Sequence, residues 1–253
     1  MIPSNYHTHT HFCDGKHSPE EVVRAAISLG CPELGFSGHA YTDFDTGYCM
    51  SPESAEEYKA EIRRLQKKYA DQIKILLGVE QDYFSNESTD DYDYVIGSVH
   101  YVQKDGCYLS VDNTRQSFME NAQKHYSGDY YSFAEDYYAL VADVYRKTGC
   151  QIIGHFDLFT KFNETPDLFD PNHPRYQAAA HKALDALMDA PVILEINTGA
   201  VSRGYRTQPY PAADILSRWL KAGKPVQFAS DCHNAVQLLF GYDLYEAYVK
   251  DCR

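Results

Sequence analysis

The chain alternates short apolar runs with amphipathic stretches almost from end to end, and this constrains the fold more than any other feature. ELGFSGHA (33–40), IKILLGVEQDY (73–83), YDYVIGSVHYV (92–102), CQIIGHFD (150–157), PVILEINTG (191–199) and PVQFASDCH (225–233) read as strands. An opening strand over NYHTHTH (5–11) precedes them. Helical patterns lie between: 18–30, 51–70, most of 114–148 with a break near Ser127-Gly128, 171–190 and 210–224, with a helical tail over 235–252. Ser18 and Glu21 form a capping box around Pro19, and Gly30 and Gly223 mark helix ends. Roughly seven strand-then-helix units predict an α/β protein with a parallel sheet, and that many units favour a closed barrel. The loop 41–50 and the segment 157–175 read as insertions over one face.

At 253 residues, with 44% hydrophobic and 23% charged residues, the chain is expected to form one domain over 1–253. Its net charge of −13 argues against nucleic acid and anionic membranes as partners. No stretch reaches the ~18 apolar residues of a membrane span. The opening MIPSNYHTH lacks a basic start and an apolar run. Seven cysteines, an odd number with no CxxC pair, suit reduced thiols, so a cytoplasmic location is expected. Cys13 and Cys232 lie among His and Asp residues and read as small buried residues behind a site. Most of the 22 tyrosines read as half-buried packing.

Chemistry concentrates at one end of the strands. His7, His9, His39, Glu80, His100, His155, Asp231 and His233 each lie at or just beyond the C-terminal end of a predicted strand. In a barrel that is the face where residues from different strands converge, and packing histidines have no reason to prefer it. In an extended strand, residues i and i+2 point the same way, so His7 and His9 face one side together, as do Asp231 and His233. The first and last strands of a closed barrel are neighbours. Imidazole and carboxylate donors suit Zn²⁺, Mn²⁺ or Fe²⁺. With Asp14 added, the donors exceed one coordination sphere, so two or three ions are expected, with Glu80 as the bridging carboxylate. Such sites are typical of phosphoester hydrolysis. His17 is the rival of Asp14 as a ligand, though it reads more readily as a solvated residue before a helix cap; His11 reads as a non-ligand, and His125, His173 and His181 as surface residues.

The set HTHTHFCDG, GFSGH, GVEQDY, IGSVHY, GHFDL, LEINTGA and ASDCH resembles the PHP family, named for polymerase and histidinol phosphatase, over nearly the whole chain. HTHTHFCDG, IGSVHY and EINTGAVSRGYRTQPYP resemble its monofunctional histidinol-phosphate phosphatase branch. The resemblance implies a distorted (β/α)7 barrel with a trinuclear metal centre at the C-terminal ends of the strands. It implies three ligand sets: His7, His9, Glu80 and Asp231; Glu80, His100 and His155; Asp14, His39 and His233. It also implies hydrolysis of a small phosphate ester, L-histidinol phosphate, to L-histidinol and phosphate by a metal-bridging hydroxide.

A phosphate group needs a cation besides the metals. Arg203 is expected to supply it, because arginine's forked donors match phosphate oxygens. Arg206 and Lys161 are the rivals, and Asn197 is a candidate for orienting a ligand or water. Asp231 and His233 are the candidates for proton handling. An acidic, tyrosine-rich rim of Asp43, Asp45 and Tyr48 would attract a cationic substrate. The alternatives are a phosphoesterase of the same family acting on a nucleotide or phosphotyrosyl ester, and an amidohydrolase-like metal hydrolase. Oligomeric state is not readable from the sequence.

Overall fold

A computed structural model describes residues 4–253 of the chain. Six parallel strands form the main sheet: β1 (Glu33–His39), β2 (Lys74–Asp82), β3 (Tyr94–Ser98), β6 (Ile152–Ile153), β7 (Ile193–Asn197) and β8 (Val226–Ala229). They lie in that spatial order. The missing numbers belong to an antiparallel hairpin, β4 (Tyr101–Lys104) and β5 (Cys107–Ser110), inserted directly after β3. The single strand expected over 92–102 is not continuous. The chain instead breaks at Val99-His100 and turns into the hairpin.

The N-terminal segment closes the curve. Asn5 bridges Leu34 of β1 on one side, and Thr8 bridges Cys232 beyond β8 on the other, both in parallel sense. The expected opening strand is therefore two isolated bridges, completing a seven-membered ring. Asn5 is buried and staples the seam. Its Nδ2 donates to Ser230 Oγ (2.7 Å), Thr8 Oγ1 (3.1 Å) and the Leu238 carbonyl (3.1 Å). Tyr94 ties the same segment to β1 by placing its hydroxyl between the carbonyls of Tyr6 and Phe36.

Helices cover the outside: α1 (Pro19–Ser28), α2 (Pro52–Lys68), α3 (Arg115–Tyr126), α4 (Tyr130–Thr148), α5 (Pro174–Met188), the short α6 (Gly199–Ser202), α7 (Ala213–Lys221) and α8 (Tyr242–Cys252). The Ser18–Glu21 capping box forms as expected, and Ser51 caps α2 ahead of Pro52. Leu34, Phe36, Leu77, Val79, Ile153 and Leu194 are buried between strands and helices. Several tyrosines go deeper than the expected half-burial: Tyr58, Tyr137, Tyr138 and Tyr210 are fully buried. Among the described residues no helix is long and apolar enough to cross a membrane.

Candidate metal centre

Parallel register builds the centre. His39, the last residue of β1, pairs directly with Glu80 of β2, so their side chains leave the sheet together. His39 Nδ1 lies 3.0 Å from Glu80 Oε2. Glu80 is buried, and five imidazoles reach its carboxylate. On Oε2, His7 Nε2 is at 3.1 Å and His9 Nε2 at 3.5 Å, with His39. On Oε1, His155 Nε2 is at 3.0 Å and His100 Nε2 at 3.3 Å. Ser98 donates to the same Oε1 at 2.7 Å.

Asp231 and His233 come from the turn after β8. Asp231 Oδ1 lies 3.3 Å from His9 Nε2 and 3.7 Å from His7 Nε2. The pair does not sit on an extended strand as expected. Asp231 has φ +48°, in the left-handed region, so a turn rather than a pleat brings both residues in. That region is sparsely populated by residues other than glycine, and such strain clusters at functional sites. Asp14 meets His233 Nε2 at 3.1 Å, with His9 and His39 each at 3.8 Å.

Three groups have donor atoms within 4.8 Å of one another: His9, Asp14, His39 and His233; His7, His9 and Glu80; His39, Glu80 and His100. These make a multi-residue metal-binding cluster. His17 stands apart and accepts from the Ala235 amide, while His11 is exposed and packs on Phe12. Cys13 Sγ lies 3.6 Å from His9 Nδ1, behind the site.

The donor chemistry fits a divalent cation. His7 Nδ1 bonds Glu195 Oε2 at 2.8 Å, and a carboxylate can only accept, so Nδ1 carries the proton and Nε2 presents a lone pair. His7 Nε2, His9 Nε2 and Glu80 Oε2 are all buried without a hydrogen-bond partner among the described residues, and they face one another. Lone pairs converging without a proton are stable around a cation. His100 is oriented the same way, with Nδ1 at 3.1 Å from Asp82 Oδ2 and Nε2 toward Glu80.

The electrostatics agree. Burial opposes charge on Glu80, but His7, His39 and His100 outweigh it and hold the carboxyl well below its usual range. Burial likewise opposes charge on Asp231, and Arg203 and His7 outweigh it. Burial, helped by His233 and His39, presses His9 down to about 3, which keeps that imidazole neutral for coordination.

Glu195 and Asp82 escaped the sequence reading. The signal was present: Asp82 lies two residues beyond Glu80 on one strand, hence on one face, and Glu195 is a lone acid inside an apolar run. A carboxylate buried there is costly unless it is bonded. Glu195 Oε1 also accepts from the His155 amide (2.6 Å) and Asn197 Nδ2 (2.7 Å).

The expected phosphate-binding residues separate. Arg203 lines the cavity beside the cluster, with Nη2 on Asp231 Oδ2 and Nη1 on the Asp231 carbonyl, both at 3.0 Å. A Cβ on Gly199 would come within 2.7 Å of Asp231 Oδ2 and 2.8 Å of Arg203 Nη2, so only glycine leaves room for this pair. Lys161 also lines the cavity, its ammonium bonded to the Asp112 carbonyl at 2.6 Å. Arg206 lies outside this lining and bonds Thr160. Asn197 is fully buried between Glu195 and Asp231 and does not line the cavity.

The PHP domain family model matches residues 5–199. A Deinococcus radiodurans protein named "probable histidinol-phosphatase" is 32% identical over 93% of this chain and 88% of its own. The Bacillus subtilis histidinol-phosphatase is 28% identical over 97% of this chain and 98% of its own. Among solved structures, the Lactococcus lactis histidinol phosphate phosphatase, held with zinc, L-histidinol and phosphate, superposes with a TM-score of 0.73. It is 22% identical and covers 99% of this chain and 93% of that one. The protein is thus an α/β barrel with a metal-binding cluster at the carboxyl ends of its strands. It belongs to the PHP family.

Proposed function

We propose that the protein is a metal-dependent histidinol-phosphatase, hydrolysing L-histidinol phosphate to L-histidinol and inorganic phosphate, with 1–253 acting as one catalytic unit in the cytoplasm. The observation that carries this reading is the convergence of His7, His9, His39, His100 and His155 on one buried carboxylate, Glu80, beside a cavity that also presents Arg203 and Lys161. The names of the Deinococcus and Bacillus relatives, which match nearly end to end, support the substrate.

His7, His9, Glu80 and Asp231 would hold one ion, Glu80, His100 and His155 a second, and Asp14, His39 and His233 a third. Two or three divalent ions, Mn, Fe or Zn, suit these nitrogen and oxygen donors. When bound, such ions lower the pKa of water toward neutrality and neutralise charge on phosphoryl oxygens.

The chain's own residues do the rest. Glu195 and Asp82 hold the tautomers of His7 and His100, keeping Nε2 of each turned toward Glu80. Arg203, anchored on Asp231, keeps further donors for the equatorial phosphate oxygens, where negative charge grows as the ester bond breaks. Lys161 adds a second positive charge within the cavity. His233, 3.1 Å from Asp14 at the more exposed edge, would close the third ion's ligand set, and it would carry protons between the site and solvent only while uncoordinated.

Phosphate release from L-histidinol phosphate, measured beside phenyl phosphate with Mn²⁺ or Zn²⁺ supplied, tests the proposal. A preference for the former by orders of magnitude in kcat/KM is expected. Comparable slow turnover of both would keep a metal phosphoesterase and discard the substrate. No release from either, with metals bound, would return the site to amidohydrolase-like chemistry.

A further inference from the structure

A second cavity, of about 560 Å³, lies between α5, the start of α7 and the segment 157–172. It shares no lining residue with the cavity beside the metal centre. One short turn, Leu158–Thr160, separates the two. Leu158 and Lys161 line the catalytic side, while Asp157 and Thr160 line the other.

The second cavity holds a carboxylate that is only half used. Asp157 is 1% exposed. Its Oδ2 accepts from the Ala212 amide at 2.8 Å, while Oδ1 is buried with no hydrogen-bond partner among the described residues. A buried acceptor without a donor is costly, so such an oxygen is suited to receive one from a ligand. Arg206 lines the same cavity, with its guanidinium 5.0 Å over the Tyr210 ring. Its Nη1 bonds Thr160 and its Nε the Gln208 carbonyl, so among the described residues Nη2 is the donor left over. The two other lining carboxylates already face nitrogen: Glu164 lies 3.7 Å from Arg206 Nε, and Asp214 3.5 Å from His181 Nε2. The rest of the wall is apolar. Tyr138 and Tyr176 satisfy each other's hydroxyls at 2.7 Å, which leaves their rings as the surface they offer, and Ala180 and Ile215 adjoin them. A free acceptor, a free guanidinium donor and an apolar wall in one cavity match a small molecule with a cationic nitrogen, an anionic group and an apolar body.

We propose that this cavity is a second binding site, for an α-amino acid with an apolar side chain. The ammonium donates to Asp157 Oδ1, the carboxylate accepts from Arg206, and the side chain lies against Tyr138, Tyr176, Ala180 and Ile215. Because the Leu158–Thr160 turn is a wall of both cavities, occupancy of this site is felt in the catalytic one as a change in KM.

The test is calorimetric titration of L-phenylalanine, L-leucine, phenethylamine and 3-phenylpropionate into the metal-loaded wild type, Asp157→Asn and Ala213→Trp, with metal content and thermal midpoint measured on each. At least one of the two amino acids should bind with one-to-one stoichiometry. Phenethylamine and 3-phenylpropionate each lack one charged contact and should bind at least about 10-fold more weakly. Asparagine at 157 keeps an acceptor for the Ala212 amide and loses the charge, so amino-acid affinity should fall about 10- to 100-fold while 3-phenylpropionate changes little. Ala213 is exposed where it lines the cavity, so Ala213→Trp fills the space without touching the core. It should abolish binding and keep the basal rate, and it keeps the test decisive if Asp157→Asn does not fold. KM for L-histidinol phosphate, measured with and without saturating amino acid, should shift about 5-fold or more in the wild type and stay fixed in Ala213→Trp. No binding of either amino acid means that the cavity holds water only and overturns the site. Undiminished binding in Ala213→Trp places the ligand elsewhere and overturns it equally. Phenethylamine binding as tightly as L-phenylalanine removes Arg206 and the amino-acid class. Binding without a change in KM strikes the coupling. A wild type inactive on the ester overturns the phosphatase reading alone, since the titration needs no turnover.

Discussion

His7 Nδ1 lies 2.8 Å from Glu195 Oε2, with both residues 1% exposed, and this contact decides which nitrogen of His7 faces the metal cluster. Burial opposes positive charge on His7, but Glu195, Glu80 and Asp231 outweigh it and raise its pKa well above the ordinary value. Without a metal these carboxylates favour a second proton on His7, at Nε2, the position a divalent cation would take instead. Glu195→Gln keeps the volume, but its amide can rotate to present a donor to Nδ1 and turn the tautomer around. Loss of such an orienting partner typically costs about 10- to 100-fold in metal affinity. Calorimetric titration of metal into the metal-free variant checks this. An affinity equal to the wild type would show that Glu195 matters only for packing.

Glu80→Gln is expected to strip at least one ion and lower turnover by at least about 10²-fold, because an amide cannot supply two anionic oxygens to neighbouring cations. Metal analysis of the purified variant, read beside its rate, decides the point. Full metal content with a normal rate would remove Glu80 from the bridging role.

Arg203→Ala should raise KM for the phosphate ester and lower kcat, with metal content reduced little, since a charge-assisted contact of this kind is worth about 1.5–3 kcal/mol. Arg206→Ala serves as the contrast. Its guanidinium bonds Thr160 outside the cavity lining, so its effect should appear in thermal stability before it appears in KM. A reversed pattern would exchange the roles of the two arginines.

Asp129 caps α4 by accepting from the Tyr131 and Ser132 amides at 3.0 and 3.2 Å. Burial opposes its charge, but the Ser132 hydroxyl, Arg175 and those amides hold its pKa down at about 2, from an ordinary 3.8. A depressed carboxyl contributes stability that is fully present above its unfolded value and lost as pH falls through the folded one. Asp129→Ala should therefore cost about 1 kcal/mol near neutral pH. The gap from the wild type should narrow as pH falls from about 4 toward 2. Urea melts at pH 7 and pH 3 measure it, and a gap that does not narrow would assign the effect to something other than the charged cap.

Local pattern carried much of the design. The spacing of apolar residues, the Ser-Pro helix starts and the glycine stops depend on neighbours a few positions away, so the strands and helices are readable along the chain. Histidines and acids at strand ends pointed to one face for the same reason: the strand period is local, and a parallel sheet sends all its carboxyl ends the same way. What required tertiary structure is whatever depends on which strand lies beside which. His39 meets Glu80 through cross-strand register, and Asp231 reaches His9 through a left-handed turn that no periodicity announces. Glu195 finds His7 across 188 positions of sequence, and Asn5 finds Ser230 across 225. Arg203 and Arg206 are three residues apart and chemically alike, yet one lines the cavity and the other does not. The sequence by itself determined an α/β chain with metal-binding donors gathered at one end. The closed tertiary structure decided which donors stand together, which carboxylates orient them, and which arginine lines the cavity. Those relationships are distances across the ring, and distances across the ring are set by packing rather than by spacing along the chain.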